Sequence, residues 1–288
     1  MHKDKKLILT ILLAFTLLLM NIYKEYYISN YAYTTTYYEI TNNQISSLRI
    51  IQLTDLHNSE FGNNNIDLVN SIKNENPDLI FITGDLINSN NQDTSIATKL
   101  ITQLSSICPV YISYGNHEIE YEENYHIDIQ SIYEDAGGIV LEKEYVDITI
   151  NNQTIRIGGI YSYCIPGIYY SKSTSNEDIL FLEDFIDTDT YTILLCHMPY
   201  CWLKANGLEE WNIDCVFAGH VHGGQIILPI VGGLYAPDFG FFTGKLYGLY
   251  YSEDNSKVLV LSRGLGSNEL IPRINNVPEI VVADFIEG

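Results

Sequence analysis

Five apolar runs in this chain each end on a short polar motif built from Asp, Asn and His, and that repetition constrains the fold most. Residues 49–54 (RIIQLT) lead into Asp55-Leu56-His57, and residues 78–83 (DLIFIT) lead into Gly84-Asp85. Residues 110–114 (VYISY) lead into Gly115-Asn116-His117-Glu118. Residues 191–196 (YTILLC) lead into His197, and residues 215–218 (CVFA) into Gly219-His220-Val221-His222-Gly223-Gly224-Gln225. Runs this short, apolar and β-branched read as buried strands. Ligand-type side chains at the carboxyl ends of several strands stand where open α/β sheets carry their sites.

The last motif is the densest. In an extended segment residues i and i+2 point to one side, so His220 and His222 are expected to face one small object. Flanking glycines let the backbone approach that object with no Cβ in the way. Neutral imidazole is a common transition-metal ligand. A lone His-x-His also fits a structural role, but five matching strand ends in one chain favour a metal site.

Between the runs, residues 66–74 are apolar at 66, 68, 69 and 72, and residues 94–107 place Ile96, Ala97, Leu100, Ile101 and Leu104 on one face. Both patterns predict amphipathic helices. Residues 122–136 predict a third helix, closed by Gly137-Gly138, and residues 175–186 a fourth. Residues 31–41 predict an opening strand, and residues 145–150 and 154–160 a hairpin turning at Asn151-Asn152. After a loop through Pro229 and Pro237, residues 245–251, 257–261 and 279–285 predict closing strands. The fold class expected is therefore α/β of the α+β type, a two-sheet β-sandwich core flanked by helices.

Residues 7–23 (LILTILLAFTLLLMNIY) are almost entirely apolar, with Lys3, Lys5 and Lys6 before them. As a helix they span about 25 Å, enough to cross a hydrocarbon core with slight thinning. A cleaved signal peptide is the rival, but residues 21–27 offer no A-x-A-like cleavage site. The expectation is an uncleaved single-pass anchor in the cell membrane, with the lysines inside and the rest of the chain outside. The domain division expected is residues 1–30 as anchor and short linker, and residues 31–288 as one catalytic domain.

Acidic residues outnumber basic ones 36 to 15, giving a formal charge of −21. No nucleic-acid partner is expected, because phosphate-backbone binding needs excess Lys and Arg. A phosphate substrate remains compatible, since bound metal ions reverse the local field. The cysteines (Cys108, Cys164, Cys196, Cys201, Cys215) show no CxxC spacing and imply no disulfide framework. Cys108, Cys196 and Cys215 read as small hydrophobes in or beside strands.

Taken in order, DLH (55–57), GD (84–85), GNHE (115–118), His197 and GHVHGG (219–224) resemble the five motifs of the calcineurin-like metallophosphoesterases. The likeness covers residues 48–225 closely. Further on, Ser262-Arg263-Gly264-Leu265-Gly266, Pro272-Arg273 and Pro278-Glu279 resemble the tail of that family's membrane-associated bacterial phosphodiesterase branch. The resemblance implies an αββα fold and two divalent metal ions, with Asp85 shared between them. It assigns Asp55, His57 and His222 to one ion, and Asn116, His197 and His220 to the other. Mixed nitrogen and oxygen ligands suit Mn, Fe, Zn or Co. It gives His117 a catalytic place beside the leaving group, where a protonated imidazole would donate to the departing oxygen.

Other polar residues carry two readings each. Glu118 either orients a neighbour or lies exposed, and His126 reads as a surface histidine. Arg263 and Arg273 either grip a substrate phosphate or form structural ion pairs. Tyr161 and Tyr163 follow Gly158-Gly159 where members of the branch often carry an acidic residue. The activity implied is hydrolysis of a phosphodiester or pyrophosphate bond, with a lipid-linked substrate favoured by the anchor. A phosphomonoesterase or nucleotidase acting on soluble external substrates is the alternative. A non-catalytic scaffold would be expected to lack motif residues, and none is missing here.

Overall fold

The computed structural model describes residues 2–163, 176–267 and 272–288. Among them, the strands form two six-stranded sheets and one three-stranded sheet. The first sheet has the order β1 (Thr34–Asn42), β15 (Glu279–Glu287), β2 (Leu48–Leu53), β3 (Leu79–Thr83), β4 (Val110–Ser113) and β5 (Ile139–Val140). The second runs β13 (Gly248–Tyr251), β14 (Val258–Leu261), β9 (Cys215–Ala218), β8 (Tyr191–Cys196), β7 (Gln153–Ile160) and β6 (Glu144–Ile150). The small sheet joins β10 (Ile227–Leu228), β11 (Gly232–Ala236) and β12 (Gly240–Gly244).

Successive side chains of a strand face opposite ways, so an unbroken apolar run needs cover on both faces. Here it has that cover. Ile50, Phe81 and Val281 of the first sheet meet Ile157, Leu195 and Phe217 of the second in one buried cluster. Their neighbours Ile51, Ile80 and Ile82 turn outward against Leu68 and Ile72 of α2 (Ile66–Asn74) and Leu100 of α3 (Ser95–Ser105). Beyond the second sheet, Leu194 and Val216 pack on Leu182 and Phe185 of α6 (Asn176–Phe185) and Trp202 of α7 (Tyr200–Lys204). The result is the expected two-sheet sandwich with helices outside.

Strands β2, β3 and β4 are parallel neighbours, as are β8 and β9. Thr83 pairs with Ser113 and Leu195 with Phe217, so the polar motifs leave their sheets nearly level. Gln52 joins the two sheets below those motifs. Its buried Nε2 donates to Thr83 Oγ1 and to the Ala218 carbonyl, each at 2.9 Å.

Several expectations are corrected. Residues 122–136 are not one helix: α4 (Asn116–Tyr125) begins at the GNHE motif and α5 (Ile129–Asp135) follows a break. His126 takes a left-handed φ of 55°, and Asp128 caps α5 by accepting the Ser131 N–H at 3.0 Å. The loop through Pro229 and Pro237 contains the third sheet. The short α7, α8 (Gly207–Glu210) and β5 carried no readable period. α1 (His2–Tyr31) is unbroken for 30 residues, through the stretch expected as linker. The start of the fourth helix expected at Ser175 lies outside the described residues. Cys196 and Cys215 are buried free thiols as read, but Cys201 is disulfide-bonded, which the spacing did not suggest.

The hairpin turn formed as expected. Asn151 and Asn152 adopt φ of 50° and 61°, the positive values a two-residue hairpin turn requires.

Candidate metal centre

The strand ends deliver their ligand-type side chains from strained backbone. Asp55, His57, Asp85, His220 and His222 have φ of 52°, 48°, 54°, 70° and 46°. Each such residue costs on the order of 1–3 kcal/mol and persists only where its surroundings dictate it, typically at functional sites. Two glycines make room: a Cβ on Gly115 would run into the Asp85 carboxylate, and one on Gly219 into Thr54 Oγ1.

This geometry corrects the reading of the His-x-His motif. The segment is a tight turn, with Val221 in the right-handed helical region between two left-handed histidines. The two rings therefore diverge. His222 Nε2 lies 3.7 Å from Asp55 Oδ1, whereas the His220 ring lies 5.1 Å from that of His197. Asp55, His57 and His222 form one group able to hold an ion, and Asp85, His197 and His220 another. A third grouping of His57, Asp85 and His117 spans the gap between them. Asp85 stands between the two sides, its Oδ2 3.2 Å from His197 Nε2 and 3.7 Å from His57 Nε2.

Neighbouring hydrogen bonds decide which atom each ring presents. His197 Nδ1 donates to the Thr83 carbonyl at 2.7 Å, and His57 Nδ1 sits 3.0 Å from Asn88 Oδ1. A neutral ring that donates from Nδ1 carries a lone pair on Nε2. Both Nε2 atoms are buried without a hydrogen-bond partner, and so is Asn116 Oδ1. His220 is held the other way round: its Nε2 lies 2.8 Å from Asp238 Oδ2, which leaves Nδ1 for an ion. These nitrogen and oxygen donors fit two borderline divalent ions such as Mn, Fe, Zn or Co. The fit is weakest at His222, whose Nδ1 faces Arg273 Nη2 at 3.3 Å. Ligation through Nε2 favours a hydrogen on Nδ1, and a guanidinium has only donors.

The charges are mutually dependent. Burial opposes ionisation of both Asp85 and His197, but each charge holds the other. The His197 pKa is held up at about 9, and the Asp85 carboxyl well below the usual carboxylate range. Burial, with His57 and Arg273 adding, drives the His222 pKa well down and keeps that ring neutral.

Other residues resolve their double readings. Glu118 is fully buried and accepts the backbone N–H groups of Gly115, Asp85 and Leu86 and the Tyr133 hydroxyl. Arg263 pairs with Glu279 at 2.7 Å, and buried Arg273 donates to the carbonyls of Gly266 and Arg263. Neither is a free anion grip. Tyr163 turns away into the outer core, its hydroxyl on Glu210, while the charges of Asp85 and Asp238 help burial push the Tyr161 pKa up. His126 is exposed, as read. Sequence reasoning missed Asp238, which lies 18 residues beyond its partner in a loop with no ligand spacing, and it missed Asn88 and Ser89.

Ser89 fixes the form of His117. Its backbone N–H donates to His117 Nδ1 at 2.9 Å, so that nitrogen is an acceptor and the ring hydrogen sits on Nε2. The His117 backbone N–H in turn donates to Asp85 Oδ1 at 2.9 Å.

A helix-flanked sandwich with this donor set at its strand ends defines a metal-dependent phosphoesterase architecture. The chain belongs to the calcineurin-like phosphoesterase family, whose profile matches residues 48–224. It is a hydrolase of phosphate esters, and its cofactor is a pair of divalent metal ions. An uncharacterized metallophosphoesterase of Bacillus subtilis, YkoQ, is 26% identical over 81% of this chain and 82% of its own length. The phosphodiesterase YaeI of Escherichia coli is 24% identical over 83% and 82% respectively. A dimetal phosphatase from Danio rerio overlays 84% of this chain and 94% of its own, at 11% identity and a TM-score of 0.48.

Proposed function

We propose that Asp55, His57, Asp85 and His222 hold one ion and Asp85, Asn116, His197 and His220 the other, with Asp85 bridging. The observation that carries this is the Asp85 Oδ2 atom standing 3.2 Å from His197 Nε2 and 3.7 Å from His57 Nε2, two buried nitrogens that make no hydrogen bond elsewhere. Two divalent ions held by these residues would clamp a phosphoryl group and supply an activated water. Mn, Fe, Zn and Co all suit the donors.

His117 faces the leaving oxygen and donates to it from Nε2–H. The imidazolium expected from the sequence needs a hydrogen on Nδ1, where the Ser89 N–H already points. His117 therefore stabilises developing charge by a hydrogen bond, because full loss of its one hydrogen would leave an imidazolate. Asp238 orients His220, and Glu118 holds the loops that carry Asp85 and Asn116.

The bond cleaved is a phosphodiester or pyrophosphate, with a lipid-linked substrate at the membrane surface. Residues 1–30 form the anchor and residues 31–288 the catalytic domain. The helix over Lys5–Tyr31 is long and apolar enough to cross a bilayer. Lys3, Lys5 and Lys6, ahead of the apolar run 7–23, favour a cytoplasmic N-terminus, and the disulfide at Cys201 suits an oxidising compartment outside. The test is a panel of nitrophenyl monoester, nitrophenyl diester, nucleotide and lipid-linked pyrophosphate substrates with the Mn-loaded full-length chain. Turnover of diesters or pyrophosphates above monoesters supports the reading, and preference for nucleotides or monoesters overturns it. Protease added to intact spheroplasts should digest the catalytic domain, and protection would overturn the outside placement.

A further inference from the structure

The small sheet carries bulky apolar side chains in water. Ile230 is fully exposed, Phe241 and Phe242 are 69% and 65% exposed, and Val231 is exposed beside them. Ile230 and Phe242 also take left-handed φ of 71° and 56°. A β-branched residue in that region is a true outlier, and one that buries nothing adds no packing energy to offset it. Asp238, in the β11–β12 turn, holds the ring of His220 at 2.8 Å, so this sheet borders the metal centre.

The junction of α1 with the rest of the chain fixes where a bilayer around α1 would lie relative to this sheet. The last turn of α1 is hydrogen-bonded to residues 273–276. Asn30 pairs with the Arg273 backbone in both directions, at 2.8 and 3.2 Å, and Ser29 Oγ accepts the Asn276 N–H at 3.1 Å. That same segment holds β10: Ile274 bridges to Ile226, and Asn275 Nδ2 donates to the Ile227 carbonyl at 2.9 Å. Tyr23, Tyr26, Tyr27 and Tyr31 are exposed along the end of α1, and tyrosines of this kind settle at the membrane–water interface. With α1 across a bilayer, the face at residues 273–276 looks toward the headgroups, and the small sheet stands next to it. The chain's charge of −21 repels anionic headgroups, so a second contact there has to be apolar, as these side chains are.

We propose that the sheet β10–β11–β12 is a second membrane contact that seats the metal centre against the bilayer from which α1 emerges. The occupant of its apolar side chains is the headgroup–acyl boundary of that leaflet. The consequence for substrate choice rests on the phosphoesterase reading above: a phosphate carried on a lipid reaches the centre without leaving the membrane.

The test uses the full-length chain in nanodiscs of phosphatidylcholine with and without brominated acyl chains. Phe242→Trp should be quenched by bromine, whereas Asp135→Trp, on outer helix α5, should not. Trp202 and Trp211 are buried and give both variants the same background. Separately, Phe241→Ser with Phe242→Ser should keep turnover of a soluble nitrophenyl diester while losing roughly tenfold on a lipid-presented phosphodiester, through lost apolar contact. Equal emission of Phe242→Trp in both lipids overturns the proposal, as does its protection through self-association. If the wild-type chain cleaves no nitrophenyl ester, the phosphoesterase reading fails while the quenching result stands by itself.

Discussion

Glu118 Oε2 accepts the backbone N–H of Asp85 at 2.8 Å, and the same carboxylate takes the N–H groups of Gly115 and Leu86. One buried side chain thereby ties the end of β3 to the start of α4, fixing the bridging candidate Asp85 against Asn116. At the third position of α4, Glu118 also satisfies the N-cap amide of Gly115.

Replacing Glu118 should cost more than an average core change. Glu118→Ala leaves four donors, one of them the Tyr133 hydroxyl, without their acceptor, at about 1–3 kcal/mol per buried group. Glu118→Gln keeps one carbonyl oxygen and should lose less. Urea denaturation of metal-loaded protein reads the difference. Equal stability of Glu118→Ala and the wild type would contradict the arrangement.

Asp238 touches the proposed ligand His220, Oδ2 to Nε2 at 2.8 Å. Asp238→Ala should weaken one of two bound ions by about 10–100-fold, the usual effect of removing such a partner. The other ion should hold. Titration calorimetry on chelator-stripped protein separates the two sites, and unchanged affinity at both would argue against the Asp238–His220 link.

The His197–Asp85 pair makes metal uptake depend on pH. With the His197 pKa held at about 9, an ion binding Nε2 below that pH must displace a proton, so affinity should rise as pH climbs toward 9. The metal-free chain should respond in the opposite sense. A histidine pKa raised above its ordinary 6.5 adds stability that is complete below that value and is lost as pH passes 9. Thermal unfolding after chelation, followed from pH 6 to 9.5, checks the sign.

His117 should prove separable from the ligands. His117→Ala removes one pre-placed donor, worth about 10²–10³-fold in turnover, while metal content stays near that of the wild type. The loss should be greater for an alkoxide leaving group than for nitrophenolate, which needs less stabilisation. Loss of one ion in this variant would make His117 a ligand instead.

Much of this fold was legible because β2, β3, β4, β8 and β9 are buried on both faces, which forces unbroken apolar runs. The ends of those strands were legible for the complementary reason, since polar ligands stop the run. Local period could not reveal the break at His126, where Asp128 captures the chain with its own cap. Nor could it reveal the divergence of His220 and His222, which depends on two left-handed residues that an i, i+2 rule does not foresee. Asp238 was invisible because its partner is distant in sequence, and its meaning arises only when β11 and β12 fold beside the site.

The assignment of both ions depends on the proposed bridging by Asp85, and metal analysis of Asp85→Ala tests it most directly. After loading with excess Mn and desalting, the wild-type chain should carry two equivalents of metal and the variant close to none, with turnover at background. If Asp85→Ala still held two equivalents, Asp85 would not be the shared ligand, and the assignment of both ions would fall.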